Sequence, residues 1–243
     1  FRLTTRHERL KITNRSELLK GGEFMKKDEL KELATSIWDK LRKAIDKGDK
    51  EKAKSLLEEA VKNVYQLRGV LMDFIDVSLT ALAQKAGEEA IDELMREICS
   101  RTLMPLFARK FPRLTTEERI KDRVYAWAVR HGVNFEIEED DEKFIFKIPC
   151  DTGGYLAAKE GSGRTKKPYA WSSGESKVNY YCSHCSLAAE VMAIEQHGYP
   201  FWINFPPKKA GELCIQWHYK DIWKAPAKFY QRAGKSKTKG EKT

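Results

Sequence analysis

The chain has no apolar run near the roughly 20 residues that a membrane-spanning helix needs. It also lacks an apolar segment followed by a small-residue cleavage site, so secretion is not expected. It has no internal repeat, no Walker spacing and no second C-x-x-C pair of the kind a zinc ribbon uses. Cysteine and histidine are scarce, at five each among 243 residues. A soluble protein of a reducing cytoplasm fits these absences, and in that setting free cysteines point to metal or redox chemistry before structural disulfides.

The scarce residues are not spread evenly. Cys150, Cys182, Cys185 and Cys214, with His184, His197 and His218, all lie between 150 and 218. Tyr180-Tyr181-Cys182-Ser183-His184-Cys185 is a C-x-x-C knuckle at the start of a helical pattern. Thiolates and imidazoles suit zinc or iron, and the two sulfurs of one helical turn can reach one ion. The expected ligands are Cys150, Cys182, Cys185, Cys214 and His218, with Asp151 and His184 moving protons. The intervals on either side of the knuckle, 31 and 28 residues, match no standard zinc ribbon. A redox dithiol and a plain packed pair are the competing readings of the knuckle. A further alternative makes Cys182 or Cys185 a nucleophile at a helix start, with His184 or His218 as its base and Asp151 as the base's orienter. Cys99, on a helical apolar face, reads as a core thiol.

The net charge of +9 invites a nucleic-acid partner, but three of those charges fall in residues 1–24 and four in residues 232–243. The remaining +2 is spread over 25–231, without a patterned basic face. The end from 232 reads as a solvated, disordered basic tail. Residues 1–24 read as a leader or disordered arm, with Met25 as the native start. The partner expected is a small-molecule substrate or ligand, with neither nucleic acid nor membrane. Self-association into a homo-oligomer is left open.

Two textures divide the rest. From 25 to 131 apolar residues recur at three and four, giving helices over about 30–45, 49–87, 88–103 and 115–132. Gly69 is a candidate break in the second, and Pro105 a break or kink in the third. Thr115-Thr116-Glu117-Glu118 reads as a capping start for the fourth. From 132 to 231 the period becomes two. Strands are expected at 134–138, 143–148, 200–205 and 212–219, with a helix at about 184–196 whose inner face is Leu187, Val191 and Ile194. Glu190 and Glu195 are then solvated. The fold class is α+β: a helical bundle followed by an antiparallel-sheet domain with a cysteine-bearing helix. The Gly/Ser/Lys-rich stretch 151–179 reads as a functional or mobile loop. Its segment Gly161–Lys167 is a candidate cradle for an anionic group.

The order of these parts resembles proteins of the L-2-amino-thiazoline-4-carboxylic acid hydrolase-like kind, and more distantly the 4-vinyl reductase type of small-molecule-binding domain. The resemblance covers about 85–220. It runs from a helical lead-in with Gly87-Glu88-Glu89 to a strand ending at Cys150, a cysteine-bearing helix from Cys182 to Glu190, and a late strand with Cys214. The Cys182–Cys185 knuckle and the glycine-rich insertion depart from that pattern. The resemblance implies hydrolysis of a carbon–nitrogen bond in a small cyclic substrate. The expectation that results is a metal-dependent enzyme acting on a small molecule. Its alternative is a metal-stabilised binding or sensor module without catalysis.

Overall fold

The computed structural model describes residues 31–238, and expectations for 1–30 and 239–243 lie outside it. Helices and a four-stranded antiparallel sheet make up the described chain, consistent with α+β. Among the described residues no helix is long and apolar enough to cross a membrane. Contacts divide the chain at Val64–Tyr65, inside a helix, rather than at 131/132 where the sequence texture changes.

In the first unit, α1 (Ile37–Asp46) begins later than the apolar spacing implies. Ser36 takes the N-cap role, its hydroxyl accepting from the Asp39 amide at 3.1 Å, so the chain breaks at 34–36. Gly48, at φ 71°, turns the chain into α2 (Lys50–Ala86).

The second unit carries the site. α2 passes through Gly69 without a break. One glycine costs a helix only about 1 kcal/mol, which 37 residues absorb. The residue's smallness is used by Tyr155, whose hydroxyl lies 3.8 Å from where a Gly69 side chain would begin. α3 (Glu89–Arg101) ends before Pro105, which sits in the first turn of α4 (Met104–Phe107), where a missing amide hydrogen costs nothing. Thr115 and Glu118 form the expected reciprocal capping box on α5 (Thr116–Tyr125). A π-helical turn (Ala126–His131) extends it to Gly132, whose φ of 66° closes the helix.

β1 (Glu136–Glu139) and β2 (Lys143–Ile148) form the expected hairpin, and β3 (Ile203–Phe205) and β4 (Cys214–Tyr219) pair beside it, in the order β1-β2-β4-β3. The register sets Phe144, Phe146 and Ile148 opposite His218, Gln216 and Cys214, so one sheet face is lined by these six. Ile120, Val124 and Trp127 of α5 and its extension pack against Phe144, Phe146, Ile148 and Cys214 of that face, and the cysteine helix packs beside β3. Past α6 (Gly153–Ala158), a 3-10 turn (Tyr180–Cys182) leads into α7 (Ser183–Ser186), a π-helical turn (Leu187–Val191) and α8 (Met192–His197). Every residue from Ser186 to Ile194 is buried, so this stretch has no solvated face, and the helix is exposed only at Glu195 and Gln196 near its end. The core joins it to Ile91, Met95 and Cys99 of α3, on the other side of the 131/132 boundary.

Several polar expectations change. Glu190 is not solvated: it is 1% exposed. It accepts from the Asn204 amide at 2.9 Å and from Arg232 Nη2 at 2.7 Å. Burial raises its pKa against those stabilising contacts. Arg232, counted with the tail by composition, ends α9 (Ala227–Arg232) and also donates to the Asn204 carbonyl, while Lys235 ion-pairs with Glu195. The 151–179 stretch is pinned from α2 and from the start of α3. Asp76 accepts from Ser162, Gly163 and Asn179, and Glu88 accepts from the Lys166 amide and the Tyr180 hydroxyl. The anion cradle expected at Gly161–Lys167 is spent internally, since Arg164 donates to the carbonyls of Ala157 and Lys208.

Removing one partner of a buried ion pair leaves the other charge stranded. Glu190→Ala is therefore expected to cost about 3–5 kcal/mol in urea unfolding. The double variant Glu190→Ala/Arg232→Ala is expected to cost less than the sum of the two single changes.

Candidate functional site

The elements around the cysteine helix enclose a cavity. Cys150 from the end of β2, Cys182 and Cys185 from the knuckle and Cys214 from β4 all reach its wall. His131, His184, Arg123, Thr152, Tyr181 and Asn204 supply further polar lining, and Leu103, Phe107, Trp127, Trp202, Pro206 and Pro207 the apolar part. Four of the expected ligands thus share a cavity. The fifth, His218, shares the Cys214 face of β4 but is buried between Phe146 and Trp202, with ring centroids at 4.5 and 5.8 Å, and does not line the cavity. Its Nε2 has no hydrogen-bond partner among the described residues, and burial holds its pKa well below the ordinary histidine value. Cys99 is a fully buried core thiol, donating to the His184 carbonyl at 3.6 Å. Burial pushes its pKa to about 12.

The four thiols are not equivalent. Cys182 is buried, and its sulfur lies where a Gly153 side chain would begin, 2.7 Å from that position. Cys150 Sγ is 3.6 Å from the same point. The glycine is needed there for the approach of its backbone to Cys182. Burial, then the neighbouring thiols Cys150 and Cys185, raise the Cys182 pKa far above the ordinary thiol value. Cys214 is raised in the same way. Cys185 shifts the other way. Burial alone would raise it, but the His184 ring and the Arg123 guanidinium outweigh burial and hold it below the ordinary value. His184 Nε2 lies 3.2 Å from Cys185 Sγ. On the other side, Nδ1 donates to the Tyr181 carbonyl at 2.6 Å. That bond turns Nε2 toward the thiol, as the third member of a catalytic triad does for its histidine. Against its own burial, Cys185 raises the His184 pKa. Both shifts run in the direction that favours thiolate and imidazolium over neutral thiol and imidazole.

Asp151 stands apart from this pair. It is bound by Arg68 and by His131, whose Nδ1 is 2.9 Å from Oδ1. Its contact with the cavity is through His131, not His184. Burial, then Arg68 and Arg123, depress the His131 pKa to about 4. With Asp151 already matched by Arg68, the ring stays neutral and donates.

Two residues that the sequence reading passed over complete the site. Asn204 is buried, and its side chain donates to the Cys185 carbonyl at 3.2 Å. Arg123, 6% exposed, lies with its guanidinium 4.1 Å from the Trp202 ring centroid and near the rings of Phe107 and Trp127. Arg123 follows the α5 capping box by a helical interval that places it inward, but an arginine there reads as solvated by composition. Asn204 sits in an aromatic-rich strand with nothing local to mark it.

Among the described residues no three His, Cys, Asp or Glu side chains are grouped so as to hold a metal ion. Comparison with known proteins finds no matching family, no matching curated protein and no matching solved structure.

A lowered thiol pKa extends the thiolate to lower pH. Alkylation of Cys185 by iodoacetamide is expected to persist below the pH at which an ordinary thiol protonates. In His184→Gln the midpoint of that pH profile is expected to move upward, slowing the reaction at neutral pH by about tenfold if the shift is near one pH unit. Peptide mass spectrometry of the labelled protein reads both.

Proposed function

We propose that the chain is a thiol-dependent enzyme acting on a small molecule at a carbon–nitrogen bond, with Cys185 as nucleophile and His184 as its proton partner. The observation that carries this reading is the 3.2 Å contact between Cys185 Sγ and His184 Nε2 on the wall of the cavity. The Cys185 thiolate attacks the electrophilic carbon of an amide or cyclic imine. The imidazolium delivers its proton to the nitrogen, and for an amide the carbon–nitrogen bond breaks to leave a thioester and a free amine. Water, deprotonated by the now neutral His184, attacks the thioester carbonyl. The acid leaves and the thiolate–imidazolium pair is restored. Hydrolysis of this kind agrees with what the resemblance over about 85–220 implies.

The metal-dependent reading has one observation in its favour, the convergence of Cys150, Cys182, Cys185 and Cys214 on one cavity. Against it, the donors present do not fit a zinc or iron site, because no three of them are grouped as ligands of one ion would be. No step is derived through a metal. A metal-stabilised sensor without catalysis meets the same objection, and has no use for an activated thiol.

Two measurements test the choice. Brief alkylation near neutral pH is expected to label Cys185 ahead of Cys182 and Cys214, and Cys185→Ser is expected to abolish turnover in a screen of small amides and cyclic imines. Elemental analysis of protein purified without a histidine tag is expected to give well under one zinc or iron per chain. About one metal per chain, lost in Cys182→Ser, would displace the thiol mechanism in favour of the metal.

A further inference from the structure

The buried charges of the second unit are matched, with one exception. Asp151 has Arg68, and Glu190 has Arg232. Asp76 and Glu88 accept several hydrogen bonds each. Arg123 has no such partner among the described residues. Its Nε is buried without a hydrogen bond, and no carboxylate forms an ion pair with it. The nearest acidic neighbour in the chain, Asp122, is taken by Lys110. What surrounds the guanidinium is aromatic: Trp202, Phe107 and Trp127. Ring faces stabilise a cation, but they leave its in-plane N–H donors unused.

Arg123 also lines the cavity that holds Cys185. Cys185 and His184 contribute no net charge whether the proton sits on sulfur or on nitrogen, so the guanidinium leaves one positive charge in an apolar cavity, an arrangement that is costly until an anion fills it. A flat guanidinium held between rings offers its donors in a plane, which matches a carboxylate bidentately. We infer that Arg123 is the specificity residue of the cavity, binding a carboxylate carried by a small, largely apolar substrate beside the Cys185 sulfur. The inference rests on the Cys185 reading for its chemistry, and on Arg123 alone for its binding.

Two reagents of nearly one shape test it, iodoacetate and iodoacetamide. Both react with the same thiolate, so the ratio of their rates at Cys185 cancels any effect of Arg123 on thiol ionisation. In the wild-type protein the iodoacetate rate is expected to saturate with concentration. The iodoacetate-to-iodoacetamide ratio is expected to fall at least about tenfold in Arg123→Gln, a loss equal to one charge-assisted bidentate contact of about 1.4 kcal/mol or more. Arg123→Lys, which keeps the charge and loses the fork, is expected to fall between them. A ratio unchanged in Arg123→Gln overturns the inference. Should neither variant fold, the wild type decides. Benzoate is expected to protect Cys185 from iodoacetamide where benzamide does not, and equal protection overturns the inference. Should Cys185 resist alkylation altogether, the thiol mechanism fails by itself. Arg123 is then tested by thermal unfolding, where benzoate but not benzamide is expected to raise Tm in the wild type, and no rise overturns the inference.

Discussion

The site depends on one buried side chain, Asn204. Its Oδ1 accepts from Trp202 Nε1 at 2.9 Å and from Gln216 Nε2 at 3.3 Å, and its Nδ2 donates to the Cys185 carbonyl at 3.2 Å. Its backbone is engaged as well, the amide by Glu190 and the carbonyl by Arg232. Gln216 in turn accepts from Trp127 Nε1 at 3.2 Å. This chain of hydrogen bonds ties the extension of α5, the sheet and the cysteine helix through one residue. In a low-dielectric interior each of these bonds is strong and each vacancy is expensive, so the network tolerates little displacement. The Cys185 backbone is held to the sheet by the same side chain that fixes the surrounding ring, Trp202, over Arg123.

That rigidity matters because the thiolate pair is made of adjacent residues. Neighbours on an α-helix point about 100° apart, and their side chains do not ordinarily meet. Here the His184 ring is drawn back by the Tyr181 carbonyl and packs on the Tyr181 ring, centroid to centroid 4.5 Å. This leaves Nε2 beside the sulfur. The other cavity thiols lack such a partner, and burial with mutual repulsion keeps Cys182 and Cys214 protonated. Burial thus pushes Cys182 and Cys214 up while the His184 contact pulls Cys185 down, so shared composition does not imply shared chemistry.

Much of the architecture was legible because it follows local periodicity. The β1–β2 hairpin, the Thr115 cap, the glycine stop at 132 and the knuckle at a helix start all express short-range rules. Cys150, Cys182, Cys185 and Cys214 stood out by composition, but that all four line one cavity depends on strand pairing and helix placement far apart in the chain. The fate of the charges was not legible. Arg123, Arg232 and Glu190 belong to residue types that are almost always solvated, and nothing within a few positions marks them as buried. Their partners lie 14 to 42 residues away or, for Arg123, are ring faces. Asp151 was drawn to Arg68, 83 positions earlier, for the same reason.

Glu190 shows why period alone misplaces such a residue. On a regular α-helix, residues five apart are separated by roughly 140° around the axis, so a helix that turns Cys185 toward Asn204 turns Glu190 well away. The π-helical turn at Leu187–Val191 changes that angle, since its wider coil brings residues five apart onto one face. The Cys185 carbonyl and the Glu190 carboxylate then both reach Asn204. The irregular turn also exposes the Ala189 carbonyl to the Phe201 amide at 2.8 Å, which fixes the strand entry that carries Trp202 and Asn204. A π-turn loosens a helix's own hydrogen-bond ladder, and such turns recur at functional sites. In this helix Asn204 takes up the Cys185 carbonyl and Phe201 the Ala189 carbonyl. The distortion that frees the backbone for them also sets the register between the activated thiol and the sheet beneath it.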